Sequence, residues 1–255
     1  MAKIAETKRE KSWEQWEESW RVKVAALMRR TKKIAIALIN HKGGVGKTTL
    51  AVILAQIALR CGTKDYAPKV AAVDLDPQRN FTDAMTLVSE LHGASLMITD
   101  QITSEADVII LDCPPALSSA TAEALDFSDI TLIPVRPDMF SLTNLGVVYE
   151  FGESHGKALE QMPIVKVGFR SKNETAKGNS MSDMANEALA SRNYPIAGEV
   201  GVNGLIPYNI ASARFWSHGM QAAARLPYYE LYESILQAYE QLVQGNFESV
   251  WGGKR

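Results

Sequence analysis

The stretch Ile34-Ala35-Ile36-Ala37-Leu38-Ile39-Asn40-His41-Lys42-Gly43-Gly44-Val45-Gly46-Lys47-Thr48-Thr49 sets the architecture of the chain. Its first part, residues 34–40, is an apolar run set between Lys32-Lys33 and His41-Lys42. A run without polar alternation suits a parallel strand covered on both faces. A glycine-rich turn comes next, and residues 48–60 then read as a helix, with Ala, Leu, Ile and Gln at most positions. Strand, phosphate-sized loop and helix therefore come in the order that an anion site requires.

Beyond this segment, apolar stretches at 70–73, 108–111, 130–135, 164–168 and 202–206 read as further strands. Helical patterns separate them at about 80–90, 118–126, 141–155, 180–191 and 210–222, with a closing helix near 229–244. Strands alternating with helices imply an α/β fold, a mostly parallel β-sheet flanked by helices, with its active site at the C-terminal ends of the strands. Residues 171–180 form a polar segment able to become ordered on binding. At the other end, Trp13, Trp16, Trp20, Val24 and Leu27 recur at helical spacing, with Glu14, Glu17, Glu18, Arg21 and Lys23 between them. That pattern predicts a helix whose aromatic face packs on the body; partner binding, self-association and membrane contact are its other readings. The expected organisation is a helical extension over 1–32, an α/β domain over 33–246 and a short tail over 247–255.

A length of 255 residues with 46% hydrophobic composition suffices for the core of one such domain. No stretch approaches the roughly 18 apolar residues of a membrane span, and the N-terminus carries Lys3, Glu6, Lys8, Arg9, Glu10 and Lys11 where a secretion signal would be apolar. The expectation is a cytoplasmic protein. Cys61 and Cys113 are too few for a disulfide framework and lack CxxC spacing, so both read as reduced thiols. The formal net charge of -2 means that any nucleic-acid contact must come from a local patch or from a surface made by oligomerisation.

The chemistry is concentrated in three segments. In the first, Gly43, Gly44, Val45 and Gly46 let the backbone curl so that N–H groups point into an oxyanion-sized space, and the helix after them adds its positive dipole. Lys47 is placed to reach β- and γ-phosphates, Thr48 to set its hydroxyl on Mg2+, and Thr49 to orient the α-phosphate. Lys42 is an extra cation outside the minimal loop; it suits a phosphate site shared across a subunit interface, where it would neutralise a neighbour's nucleotide, or else a packed or solvated position.

In the second segment, Val73-Asp74-Leu75-Asp76-Pro77-Gln78, the i,i+2 spacing of an extended chain sends Asp74 and Asp76 to the same side. Asp74 is then a candidate for the Mg2+ hydration shell and Asp76 for orienting the attacking water. The third segment runs from Ala106 to Pro115 and delivers Asp112 from the end of an apolar strand toward water around Mg2+. Cys113 has no evident His partner for nucleophilic work and reads as a small buried side chain. The three segments together indicate triphosphate hydrolysis.

These segments resemble the deviant Walker A ATPases, a P-loop NTPase group, and specifically the ParA branch of the ParA/MinD family. Lys42 to Thr49 carry KGGVGKTT, Val73 to Gln78 carry VDLDPQ, and Asp112 to Pro115 carry DCPP where the family often has D-x-P-P. The likeness continues through Leu132-Ile133-Pro134-Val135, Ile206-Pro207 and Ser217-His218-Gly219. It departs at Val167-Gly168-Phe169-Arg170, where many relatives read Thr-Met or a similar pair.

The resemblance implies a protein that binds ATP and Mg2+ as a sandwich homodimer, with Lys42 crossing to the partner's nucleotide and Asp76 supporting hydrolysis. Pro207 falls where related proteins contact adenine, with Tyr208 beside it. It also implies a cycle in which the ATP dimer binds non-specific DNA through phosphate-directed basic residues, for which Arg170, Lys172, Arg214 and Arg225 are the local candidates. A centromere-binding or cargo-adaptor protein is the implied partner, and a nucleoid-associated location the implied address.

Three other readings remain open. Membrane positioning of the MinD kind is disfavoured by a short, glycine-broken C-terminus from Phe247 to Arg255. A protein or metabolic cargo is a second possibility, and a non-enzymatic nucleotide-binding adaptor a third.

Overall fold

In the computed structural model, the described residues are 2–92, 95–169, 181–201, 222–247 and 250–251. The chain runs α1 (Ala2–Thr31), β1 (Ile34–Leu38), α2 (Lys47–Arg60), β2 (Val70–Asp74), α3 (Asn80–His92), β3 (Leu96–Thr99), β4 (Val108–Asp112) and α4 (Ser119–Phe127). It continues with β5 (Ile130–Val135), α5 (Met139–Thr143), α6 (Leu145–Ser154), a 3-10 turn (Leu159–Gln161), β6 (Ile164–Val167), α7 (Met181–Ser191), β7 (Ile196–Val200) and α8 (Ala222–Val243). The strands form one sheet in the order β3-β2-β4-β1-β5-β6-β7, and every pairing is parallel.

The apolar runs explain the layering. In β1, Ile34, Ile36 and Leu38 join the core packed under α1, α2, α3 and α8. Ala35, Ala37 and Ile39 join the core under α4, α5, α6 and α7. Successive side chains leave opposite faces of a strand, so a continuous apolar run is what a sheet covered on both sides demands.

The N-terminal helix packs on the body. Trp13 and Trp16 stack with ring centroids 4.7 Å apart, and Trp20 meets the Tyr229 ring of α8 edge-on at 4.5 Å. Trp20, Val24, Leu27 and Met28 are buried in the first core. Glu17 accepts hydrogen bonds from the Tyr229 hydroxyl at 2.7 Å and from Arg60 at 3.3 Å. Arg30 pairs with Glu240 at 2.8 Å and Lys23 pairs with Glu233, so polar contacts run along the α1–α8 seam. Near the other end, Val250 is buried and the Trp251 indole N–H donates to the Glu160 carbonyl at 2.6 Å.

Several elements differ from the sequence reading. β3 and β7 were not expected, the segment at 141–155 is two helices separated at Asn144, and α8 starts at Ala222 and continues through Pro227. The expected strand at 202–206 and helix at 210–222 fall outside the described residues, apart from the last residue of that helix. Among the described residues no helix is long and apolar enough to cross a membrane.

Candidate functional site

β1 lies at the centre of the sheet between β4 and β5. Chain connections depart to opposite sides there, and a crevice opens at the C-terminal ends of the strands. The glycine loop fills that position. Gly44 has φ +74° and Gly46 has φ +102°, backbone values that an L side chain adopts only with strain. Gly46 is the N-cap of α2. Having no side chain, it leaves the first-turn N–H groups of Lys47, Thr48 and Thr49 available to an anion.

Lys47 is only 7% exposed. Its Nζ donates to the Lys42 carbonyl at 3.2 Å and approaches the Asn40 carbonyl at 3.4 Å, so the loop curls around its own lysine. Burial lowers the proton affinity of this amine, while the nearby carboxylates of Asp112 and Asp76 act in the opposite direction. A phosphate beside it would add the counter-charge that a buried ammonium requires. Val45 is fully buried, so only its backbone can serve the loop's interior.

The carboxylates have different roles. Parallel pairing of β2 with β4 sets Asp74 opposite Asp112. Asp74 accepts the Asp76 N–H at 3.1 Å and the Thr82 N–H at 2.7 Å, which fixes the turn after β2 and the start of α3. Asp76, two residues on, lines the cleft and accepts the Gln78 N–H at 3.0 Å. Asp112 is 0% exposed, and neither carboxylate oxygen completes a hydrogen bond. Burial pushes its carboxyl up to about 7; the nearby Thr48 hydroxyl favours the charged form, and Asp74 disfavours it.

An orphaned, fully buried carboxyl beside a hydroxyl is the donor set that a hard divalent cation would satisfy. Among the described residues no three His, Cys, Asp or Glu side chains converge on a metal position. Mg2+ differs from zinc in this respect: it takes one or two carboxylates and completes its shell with phosphate and water. The residues present therefore fit Mg2+ bound together with a nucleotide.

The loop, the carboxylates and α3 enclose a cleft of about 990 Å3. Gly43, Gly44, Lys47, Thr48 and Thr49 line it together with Asp76, Asn80, Pro115 and Arg136. Lys42 points elsewhere: its Nζ lies 2.5 Å from Asp138 Oδ1 and 3.3 Å from the Ser141 hydroxyl. Asp138 also caps α5 by accepting the Ser141 N–H at 2.9 Å. Burial works against the Asp138 carboxylate, but the bonds from Lys42 and Ser141 prevail and hold it below the usual range.

Gly43, Gly44, Gly46, Lys47, Thr48, Thr49 and Asp76 line one cleft, and Asp112 is buried beside Thr48. Burial pushes the Cys113 thiol up, in keeping with a protonated packing residue. Arg225 is half-buried in the first turn of α8, in the field of Tyr229, Glu17 and Arg60. Pro207, Tyr208, Arg170, Lys172 and Arg214 lie outside the described residues. Sequence reasoning missed Asn40, Arg136 and Asp138. The Asp138-x-x-Ser141 spacing of an N-cap was the one available signal.

A family profile described as "AAA domain" matches residues 32–99 and 95–161. The chain is 31% identical over 153 residues to the chromosome-partitioning ATPase Soj of Thermus thermophilus, covering 45% of this chain and 59% of that protein. It is 29% identical over 159 residues to the sporulation initiation inhibitor protein Soj of Bacillus subtilis, covering 43% and 61%. The match thus spans about three-fifths of the length of these curated relatives. Among solved structures, a putative plasmid partition protein from Borrelia burgdorferi bound to AMPPNP aligns with a TM-score of 0.61 at 18% identity, covering 79% of this chain and 98% of that one. That likeness is one of fold.

Proposed function

The chain belongs to the AAA-domain family in its ParA/MinD-like form, and on that premise we propose that it is a Mg-ATP-dependent ATPase. In this reading it forms a homodimer around bound nucleotide and positions DNA. The observation that carries the reading is the pairing of an uncapped α2 N-terminus with the buried, unsatisfied Asp112 beside Thr48. One feature calls for polyphosphate and the other for a divalent cation.

Lys47 and the first-turn N–H groups bind the β- and γ-phosphates. Thr48 and Asp112 would hold Mg2+, which when bound neutralises phosphate charge, while Asp74 fixes the turn that presents Asp76. Asp76 orients the water that attacks the γ-phosphorus, and ADP and phosphate leave. The adenine side of the site is assigned to Pro207 and Tyr208.

Lys42 serves the partner's nucleotide. Within one chain its ammonium pairs with Asp138 at a partly exposed edge, so in this reading dimerisation exchanges one anion for another. DNA as the matrix is inferred from the relatives' printed roles, with Arg170, Lys172 and Arg214 as phosphate contacts and Arg225 at the flank. A centromere-binding or adaptor protein is the expected partner.

The test is phosphate release from purified protein with ATP, with and without Mg2+ and duplex DNA. The expected result is Mg-dependent turnover and salt-sensitive DNA retention with ATP. Wild-type protein that binds no ATP under these conditions would overturn the reading.

A further inference from the structure

The glycine loop is clamped at two points to the chain that leaves β5. The Asn40 side chain donates to the Pro134 carbonyl at 2.9 Å while its oxygen accepts the Lys42 N–H at 2.9 Å. Lys42 in turn reaches Asp138. Arg136 lies midway between these two anchors, its own carbonyl accepting the Asp138 N–H at 2.8 Å. Its backbone is thereby held beside the loop, and its side chain lines the same cleft as Gly43, Gly44, Lys47 and Thr48.

What sets Arg136 apart from the other arginines named below is that, among the described residues, its guanidinium has no protein partner. Arg21, Arg30, Arg60 and Arg79 each face a carboxylate. Arg192 donates to the Leu142 carbonyl, and Arg29 bonds Thr63 and covers the Tyr66 ring. Among the described residues the Arg136 guanidinium makes no ion pair or hydrogen bond, yet it stands in a glycine-walled cleft with an open helix N-terminus. A planar, permanently charged fork in that position is suited to bidentate contact with phosphate oxygens.

We propose that Arg136 is a phosphate-binding residue of this site, contacting the terminal phosphates of the nucleoside triphosphate held by its own glycine loop. The proposal rests on the nucleotide reading above and extends it: the phosphates are then met by Lys47 from α2 and by Arg136 from the end of β5, two elements that line the same crevice. Because both contacts come from one chain, the effect of Arg136 is present in the monomer, before any partner supplies Lys42.

The experiment is equilibrium binding of a non-hydrolysable ATP analogue, and of ADP, to wild type, Arg136→Gln and Arg136→Lys, at protein concentrations where light scattering gives a monomer. Circular dichroism and thermal midpoints confirm that each variant is folded. Arg136→Gln is expected to weaken the triphosphate by roughly tenfold to a hundredfold, the loss of one charge-assisted contact, with a smaller effect on ADP. Arg136→Lys should recover part of that loss, which a purely structural role at this position would not produce. Wild-type affinity for the triphosphate in folded Arg136→Gln would overturn the proposal and leave the nucleotide reading intact. No binding by the wild type would remove both.

Discussion

At Asp112 the fold buries a carboxyl with the Thr48 hydroxyl near enough to favour its charged form, and its value near 7 against an ordinary 3.8 turns the cost of ionisation into a pH dependence. A carboxyl whose folded value is raised contributes stability that is full below the unfolded value and is lost as pH climbs through the folded one. The nucleotide-free protein should therefore lose stability between about pH 4 and about pH 7 on account of this group. Asp112→Asn removes the ionisation, so its thermal midpoint should exceed that of wild type by about 5 °C at about pH 8, and by much less at about pH 5. The same variant should lose the Mg2+ dependence of nucleotide binding, measured by titration with and without the cation. A midpoint difference that does not change with pH would show that Asp112 does not titrate in this range. Lys47 gives the second prediction at this scale: Lys47→Gln should weaken ATP binding at least tenfold in a folded protein, as read by calorimetry. Unchanged affinity would remove Lys47 from the phosphate site.

Among the elements, α1 gives the clearest energetic prediction. Trp20 is buried between the sheet-covering helices and meets the Tyr229 ring, so Trp20→Ala should cost about 3–5 kcal/mol in denaturant unfolding. Tyr229→Phe removes the hydroxyl that donates to Glu17 and should cost about 1 kcal/mol. A Trp20→Ala loss below that of Tyr229→Phe would mean that α1 adds little to the core. Its helical spacing was legible because the aromatic stripe is long and regular. The central strands were legible because both of their faces are covered, which leaves continuous apolar runs.

β3 and β7, the two edges of the sheet among the described residues, escaped notice for that reason. Leu96–Thr99 is half-covered, and Ile196–Val200 includes a glycine and a glutamate, so neither has the pattern of a buried strand. Pro227 likewise concealed the first turns of α8. A proline lacks the N–H for one helical bond and reads as a start, yet the helix passes through it while Tyr228, Tyr229 and Tyr232 anchor the succeeding turns in the core. In the site, residues contiguous with the loop motif were readable. Arg136 and Asp138 became functional candidates only when the sheet order brought the end of β5 beside β1.

At the scale of the whole molecule, the proposed function makes the site only partly complete in a single chain. Lys47, Thr48 and Asp76 line one cleft, with Asp112 buried beside Thr48, whereas Lys42 is directed to Asp138. If Lys42 leaves Asp138 for a partner's nucleotide, dimer formation and hydrolysis depend on different residues. That division is tested most directly by the solution mass from light scattering in Mg-ATP and in Mg-ADP, for wild type, Lys42→Ala and Asp76→Ala, with folding and nucleotide affinity checked in parallel. Expected are an ATP-dependent dimer for wild type, the same dimer trapped in a hydrolysis-deficient Asp76→Ala, and a nucleotide-binding monomer for Lys42→Ala. A Lys42→Ala protein that dimerises with ATP as wild type does, beside an Asp76→Ala protein that stays monomeric, would contradict it.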